Sequence, residues 1–195
     1  EALLTAALFC PGPQILARAA EAKAASGLPW DDKPVIGLHI RRGDRTDLHK
    51  HLVADYFDEV AALADELATD AVWVAADAAE TLEAVEAVFG ERYSLYSLWH
   101  WARDAPGADV AWGGAYMFTA TTPDALMDSM LVDIELLGST SALVGAQRSR
   151  FGWLASRLIA GRGNEAACPR WVAGDTSNAY GWWNGDDVDP RKVCV

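Results

Sequence analysis

Cations are scarce in this chain. Sixteen lysines and arginines stand against 28 aspartates and glutamates in 195 residues, a formal net charge of −12. Such a surface repels a phosphate backbone, which excludes nucleic acid as a partner. A small phosphorylated ligand stays possible, but only if the few cations are gathered in one place. Cysteine is scarcer still: Cys10, Cys168 and Cys194, with no Cys-x-x-Cys pair and no Cys/His spacing suited to zinc. Cys168 and Cys194 lie in one stretch and form the candidate disulfide if the compartment is oxidising. No apolar run approaches the roughly 18 residues of a membrane span, and no signal peptide opens the chain. Glu1 leads directly into Ala-Leu-Leu-Thr-Ala-Ala-Leu-Phe, which reads as the interior of a longer protein. Any membrane attachment is then expected outside this fragment. Gly-x-x-x-x-Gly-Lys-Ser/Thr and Gly-x-Gly-x-x-Gly are both missing, so P-loop and dinucleotide readings lack their fingerprints.

What is present is a folding composition, 51% hydrophobic and 23% charged, enough for one domain over 1–195. The pattern alternates. Residues 13–26 read as a helix closed by Gly27 and Pro29, and 35–40 as a buried strand. A helix is predicted over 54–68, a strand over 71–75, a helix over 80–89 and a strand over 93–97. Residues 98–122 read as a long irregular loop carrying Trp99, Trp101 and Trp112. A loop of that length is functional or unstructured, and its tryptophans favour a functional role. Then come a helix over 123–137, a strand over 142–146 and a helix over 151–159, with 161–195 left as an irregular tail. Strands alternating with helices predict an α/β fold, a Rossmann-like, doubly wound, mainly parallel sheet.

Ligands of such sheets bind outside the carboxyl ends of the strands. Three polar clusters fall there: 39–44, Asp77 and 147–150. In His39-Ile40-Arg41-Arg42-Gly43-Asp44, alternation puts His39 and Arg41 on one side and Arg42 on the other. A guanidinium fork suits phosphate oxygens, so Arg41 is the first choice for phosphate, with Arg42 free to pair with Asp44 or another carboxylate. Arg148-Ser149-Arg150 precedes a helix whose N-terminus is itself an anion site, and Ser149 suits either capping or a phosphate oxygen. Asp133 shares a helical stripe with Leu126, Met130 and Leu137. A carboxylate there needs donors, and guanine offers two adjacent ones; a salt bridge to a core arginine is the alternative. Asp187-Val188-Asp189 has the Asp-x-Asp form of a metal site but lies among Gly and Asn, and it reads as a solvated turn. No metal is expected.

These residues resemble a family. Val35-Ile36-Gly37-Leu38-His39-Ile40-Arg41-Arg42-Gly43-Asp44 is similar to the first motif of the α1,6-fucosyltransferases, the core N-glycan and Nod-factor enzymes, which carry Gly-Val-His-Val-Arg-Arg-Thr-Asp-Lys. Phe9-Cys10-Pro11-Gly12-Pro13 resembles their Arg-Pro-x-Pro. Val72-Trp73-Val74-Ala75-Ala76-Asp77 resembles Val-Tyr-Leu-Ala-Thr-Asp, and Leu131-Val132-Asp133-Ile134-Glu135-Leu136-Leu137 resembles Ile-Leu-Asp-Ile-x-x-Leu. Leu143-Val144-Gly145 with Ser149 resembles their third motif. The similarity covers roughly 5–160, in order.

The resemblance implies the nucleotide-binding, C-terminal half of a GT-B-type enzyme. It implies an inverting, metal-independent transfer from GDP-β-L-fucose to a glycan or glycoprotein acceptor in the Golgi or secretory pathway. By position, His39 and Asp133 are expected on the guanosine and Arg41 on the β-phosphate with Ser149. Arg42 and Asp44 complete the motif, and Asp77, Arg148 and Arg150 join the donor site. Departures are specific. Arg45 replaces the family lysine, Ala76-Asp77-Ala78 replaces Thr-Asp-Asp, and the family's later glutamate falls near His49. The general base is therefore left open between Asp47, His49 and a residue outside the fragment.

Overall fold

The structure, a computed structural model, describes residues 2–42, 51–104, 123–146, 149–163 and 169–172. Helices α1 (Ala2–Leu8) and α2 (Pro13–Ser26) precede strand β1 (Ile36–Ile40). A 3-10 turn, Val53–Tyr56, leads into α3 (Phe57–Leu67), followed by β2 (Ala71–Ala76), α4 (Ala79–Phe89) and β3 (Ser94–Tyr96). Next come α5 (Leu98–Asp104), α6 (Pro123–Leu137), β4 (Ala142–Gly145), α7 (Arg150–Gly161) and β5 (Arg170–Trp171).

Local chemistry accounts for the ends of these elements. Pro13 stands at the first helical position of α2, where a missing N–H costs nothing, and Gly27 closes the helix with φ 64°. β1 is buried at every position, as expected for a strand with helices over both faces. The strands form one sheet in the order β3-β2-β1-β4-β5, every neighbouring pair parallel. The chain first builds outward from β1 to β2 and β3, then returns to the other side of β1 for β4 and β5. The order reverses between β1 and β4, and that is where doubly wound sheets open a ligand crevice.

The two faces of the sheet carry different residues. Ile36, Leu38 and Ile40 of β1, with Val72, Val74, Ala142 and Val144, pack against α3 and α4 through Val60, Leu63, Leu82, Val85 and Phe89. Trp73, Ala71, Ala75 and Leu143 face α2, α5, α6 and α7, meeting Ile15, Ala19, Trp101, Leu136 and Ile159. By alternation His39 belongs to this second face. Helix α1 packs on α7. No helix among the described residues is long and apolar enough to cross a membrane.

The sequence expectations hold for fold class and for the principal elements. Helix α1 has no counterpart in the sequence reading, and two further stretches differ. The stretch read as an irregular loop from 98 begins with α5, whose first turn is closed by Ser97. The Ser97 hydroxyl lies 2.7 Å from His100 Nδ1 and receives the His100 backbone N–H at 3.4 Å, while His100 Nε2 lies 2.9 Å from Glu86 Oε1 of α4. This short, aromatic-rich helix has only about two turns, too little for a periodic signal. The second difference lies in the tail read as irregular, which supplies the edge strand β5. It pairs Arg170 with Val144 and Trp171 with Gly145, and Arg170 is held by Glu66 and Glu59 of α3. Two residues cannot show a period, so tertiary pairing alone makes this strand.

Candidate functional site

At the carboxyl edge of the sheet, β1 delivers His39 into register with Ala75 of β2 and Gly145 of β4. The imidazole is 6% exposed and stacks on Phe151 of α7, centroids 5.0 Å apart. Its Nδ1 is sealed without a hydrogen-bond partner among the described residues. Burial holds its pKa down to about 3, and the Arg41 guanidinium acts in the same direction. His39 is thus a neutral ring throughout the physiological range, and Arg41 is near enough to bear on it.

Helix α7 begins beside that pair. Ser149 is its N-cap: the hydroxyl accepts the Gly152 N–H at 3.4 Å, and the Ser149 N–H donates to Ala146 at 3.0 Å. The bond to Gly152 is long, which leaves the hydroxyl a weakly engaged acceptor at a helix end rich in free N–H groups. Gly152 allows the close approach. A Cβ there would stand 3.3 Å from His39 Nδ1 and 3.6 Å from the Trp171 ring. The indole of Trp171 also lies against Gly145 and stacks on Trp153. The helix N-terminus is therefore walled by aromatic rings on one side and joined to His39 on the other. Arg150 is exposed at the first helical position.

Asp77 follows β2, and its Oδ1 accepts the backbone N–H of Arg42 at 2.9 Å. The carboxylate thus clamps the end of β1 to the end of β2, fixing the backbone from which Arg41 projects. Arg42 itself is half-buried, its Nε sealed without a partner among the described residues. Asp44, Asp47, His49 and Arg148 lie outside the described residues, as do Cys168, Cys194, Asp187 and Asp189. Cys10 is exposed.

Asp133 comes from α6, on the same face of the sheet as His39. The stripe expected around it is only partly inward: Leu137 is fully buried, whereas Met130 is 39% exposed. Asp133 retains some exposure, but its Oδ1 is sealed and has no partner among the described residues. Burial pushes its pKa up to about 8, and the indole N–H of Trp73 acts in the opposite direction. Neither Trp73 Nε1 nor Asp133 Oδ1 completes a well-aligned hydrogen bond among the described residues. The salt bridge to a core arginine, the alternative for this carboxyl, is not seen among the described residues. Trp73 pairs with Gly37 in the sheet, two residues back from His39 and about 7 Å along the strand.

Sequence reasoning missed Trp73, Phe151 and Gly152 as parts of this site. The signal for Trp73 was available: by the alternation that placed Arg41, it shares a face with residues 71 and 75 and points where His39 does.

The arrangement offers a neutral ring donor or acceptor, a guanidinium and a helix N-terminus around the β1–β4 reversal, with a carboxyl on the same face whose Oδ1 has no partner among the described residues. The guanidinium and the helix N–H groups suit an anionic ligand. No protein-family model and no curated protein sequence matches the chain. Solved structures do. POFUT1 in complex with GDP superposes with a TM-score of 0.53 at 12% identity, over 83% of this chain and 47% of that one. A second crystal structure of POFUT1 with GDP gives 0.50 at 14%, over 83% and 48%. NodZ alpha-1,6-fucosyltransferase soaked with GDP-fucose gives 0.46 at 18%, over 75% and 42%. The chain spans about half the length of these structures. The likeness to the POFUT1 structures is one of fold, which in this chain is a Rossmann-like α/β domain with a five-stranded parallel sheet.

Proposed function

We propose that this chain is the donor-binding part of a glycosyltransferase that uses GDP-β-L-fucose. The observation that carries the reading is the convergence of Arg41, His39 and the Ser149-capped start of α7 at the strand-order reversal. In this reading the β-phosphate lies between the Arg41 guanidinium and the α7 N-terminus, with the Ser149 hydroxyl on one of its oxygens. His39, uncharged, takes a nucleoside hydroxyl. Asp133 takes the guanine edge, whose ring N–H and amino group match two carboxylate oxygens. Arg42, Asp77, Arg148 and Arg150 frame the diphosphate.

Transfer follows from charge. As the sugar leaves, negative charge builds on GDP, and preorganised guanidinium and helix N–H groups stabilise it more than they stabilise the intact donor. They supply the positive charge that a metal would otherwise bring, and the reaction is proposed to run without one. Inversion needs a base for the acceptor hydroxyl; Asp47 and His49 are the candidates carried by this chain. The acceptor is a glycan hydroxyl, α1,6-like, in a secretory compartment. The likeness to POFUT1 favours a second acceptor class, a protein hydroxyl. A screen with GDP-fucose against glycan and protein acceptors separates the two.

The donor assignment is tested by melting temperature in GDP, UDP, CMP and ADP. At pH 9, where Asp133 is ionised, GDP alone is expected to raise it, by an amount that grows with concentration above Kd. Equal shifts for all four, or none, would remove the reading.

A further inference from the structure

The four carboxylates of α6 are treated unequally. Asp124 is exposed in the first turn. Asp128 faces α2 and pairs with Arg18 at 3.5 Å. Glu135 faces α7, where Arg162 grips both its oxygens at 3.0 and 2.7 Å. Asp133, between them, has Oδ1 sealed from solvent and no cation beside it among the described residues. Among the described residues no other charge on the surrounding elements shifts Asp133. Lys23 of α2 lies over the Trp30 ring and feels Glu135. Arg41 bears on His39, a ring that stays neutral. From β2 the nearest polar group is the uncharged indole of Trp73. A carboxyl enclosed in this way, with one imperfect donor and no countercharge, is held more cheaply as the acid than as the anion.

The two forms present different edges. The carboxylate has two acceptors, the complement of guanine's adjacent N–H donors. The acid has one donor and one acceptor, the complement of adenine's amino group and ring nitrogen. We propose that ionisation of Asp133 gates base recognition: guanine engages only the carboxylate, and its binding expels to solvent the proton that Asp133 holds in the free protein. The O–H bond of Asp133 breaks, the proton passes to water or buffer, and two N–H···O bonds replace it. Selectivity for guanine over adenine then depends on pH. The inference rests on the GDP reading of the site and adds a proton to it. The elevated pKa of the buried carboxyl, about 8, sets the window.

Calorimetric titration of GDP at pH 7, in buffers of different ionisation enthalpy, reads the proton directly. Wild type is expected to release about one proton per GDP, falling towards zero above pH 9, with affinity rising about tenfold per pH unit below pH 8. Asp133→Asn, which has no proton to lose, should bind GDP more weakly and release fewer protons by the same amount. It also subtracts any titration of the phosphates themselves. Trp73→Phe removes the donor that favours the anion and should move the midpoint to higher pH. ADP should show none of the release. GDP binding with identical proton counts in wild type and Asp133→Asn would overturn the gate and leave the donor reading standing. Absence of GDP binding at every pH would overturn both.

Discussion

The two faces of one strand are built to different standards. Leu38 and His39 are neighbours in β1, and both are buried. Leu38 points into a layer of aliphatic and aromatic side chains shared with α3 and α4. His39 points towards α6 and α7, the layer where sealed polar atoms of His39, Trp73 and Asp133 stand without partners among the described residues. Each such atom costs on the order of 1–3 kcal/mol when nothing satisfies it. On the α3/α4 side the described strands carry no such group, and the sealed atom of that layer is the Tyr93 hydroxyl, just before β3. The difference teaches where stability and recognition have been divided: one face closes the fold, and the other keeps polar groups ready for a ligand.

The comparison can be broken by substitutions on either side. Leu38→Ala should be the most damaging to stability, about 2–5 kcal/mol for a fully enclosed leucine, with the order of nucleotide preference intact. Urea unfolding and the nucleotide melting series measure the two halves of that statement. On the opposite face Arg41→Ala should leave unfolding nearly unchanged and weaken GDP by about 1.5–3 kcal/mol, roughly tenfold to 150-fold, the worth of charge-assisted bonds. A variant that kept wild-type GDP affinity would remove Arg41 from the site.

Asp133→Asn sharpens the contrast through pH. In the folded chain Asp133 keeps its proton up to about pH 8, whereas the unfolded chain loses it near pH 4. Between those values the unfolded state binds fewer protons, so stability falls as pH rises and levels off above the folded pKa. The slope from this one group is at most about 1.4 kcal/mol per pH unit. Asparagine abolishes it, so urea midpoints of wild type and variant should diverge between pH 5 and pH 8.5, the wild type losing ground. Parallel midpoints would show that Asp133 is satisfied in the free protein. The smallest effect is expected at Ser149→Ala: about 1 kcal/mol of stability for a cap and a few-fold in GDP affinity. A change in unfolding with no change in binding would assign Ser149 to capping alone.

Much of this architecture was legible in the sequence because it is periodic. The apolar run before His39, the helix over 123–137 and the Ala/Glu/Lys-rich helix over 13–26 each carry enough turns or alternations to declare themselves. What was not legible depends on contacts distant in sequence. β5 exists because Arg170 and Trp171 meet β4 and Arg170 meets α3. α5 exists because Ser97, His100 and Glu86 close on one another. In the site, residue type and strand position were enough to nominate His39, Arg41, Asp133 and Ser149. Asp77 also accepts the Arg42 backbone N–H, a contact that only the pairing of β1 with β2 reveals. Gly152 gave no signal, since its importance lies in the 3.3 Å that a Cβ would leave to His39.

The central claim is that this polar face receives a guanine nucleotide diphosphate, and a crystal structure of the chain with GDP tests it most directly. The β-phosphate is expected between Arg41 and the start of α7, with the guanine edge on Asp133. GDP bound with its base turned away from Asp133, or seated elsewhere on the domain, would contradict it.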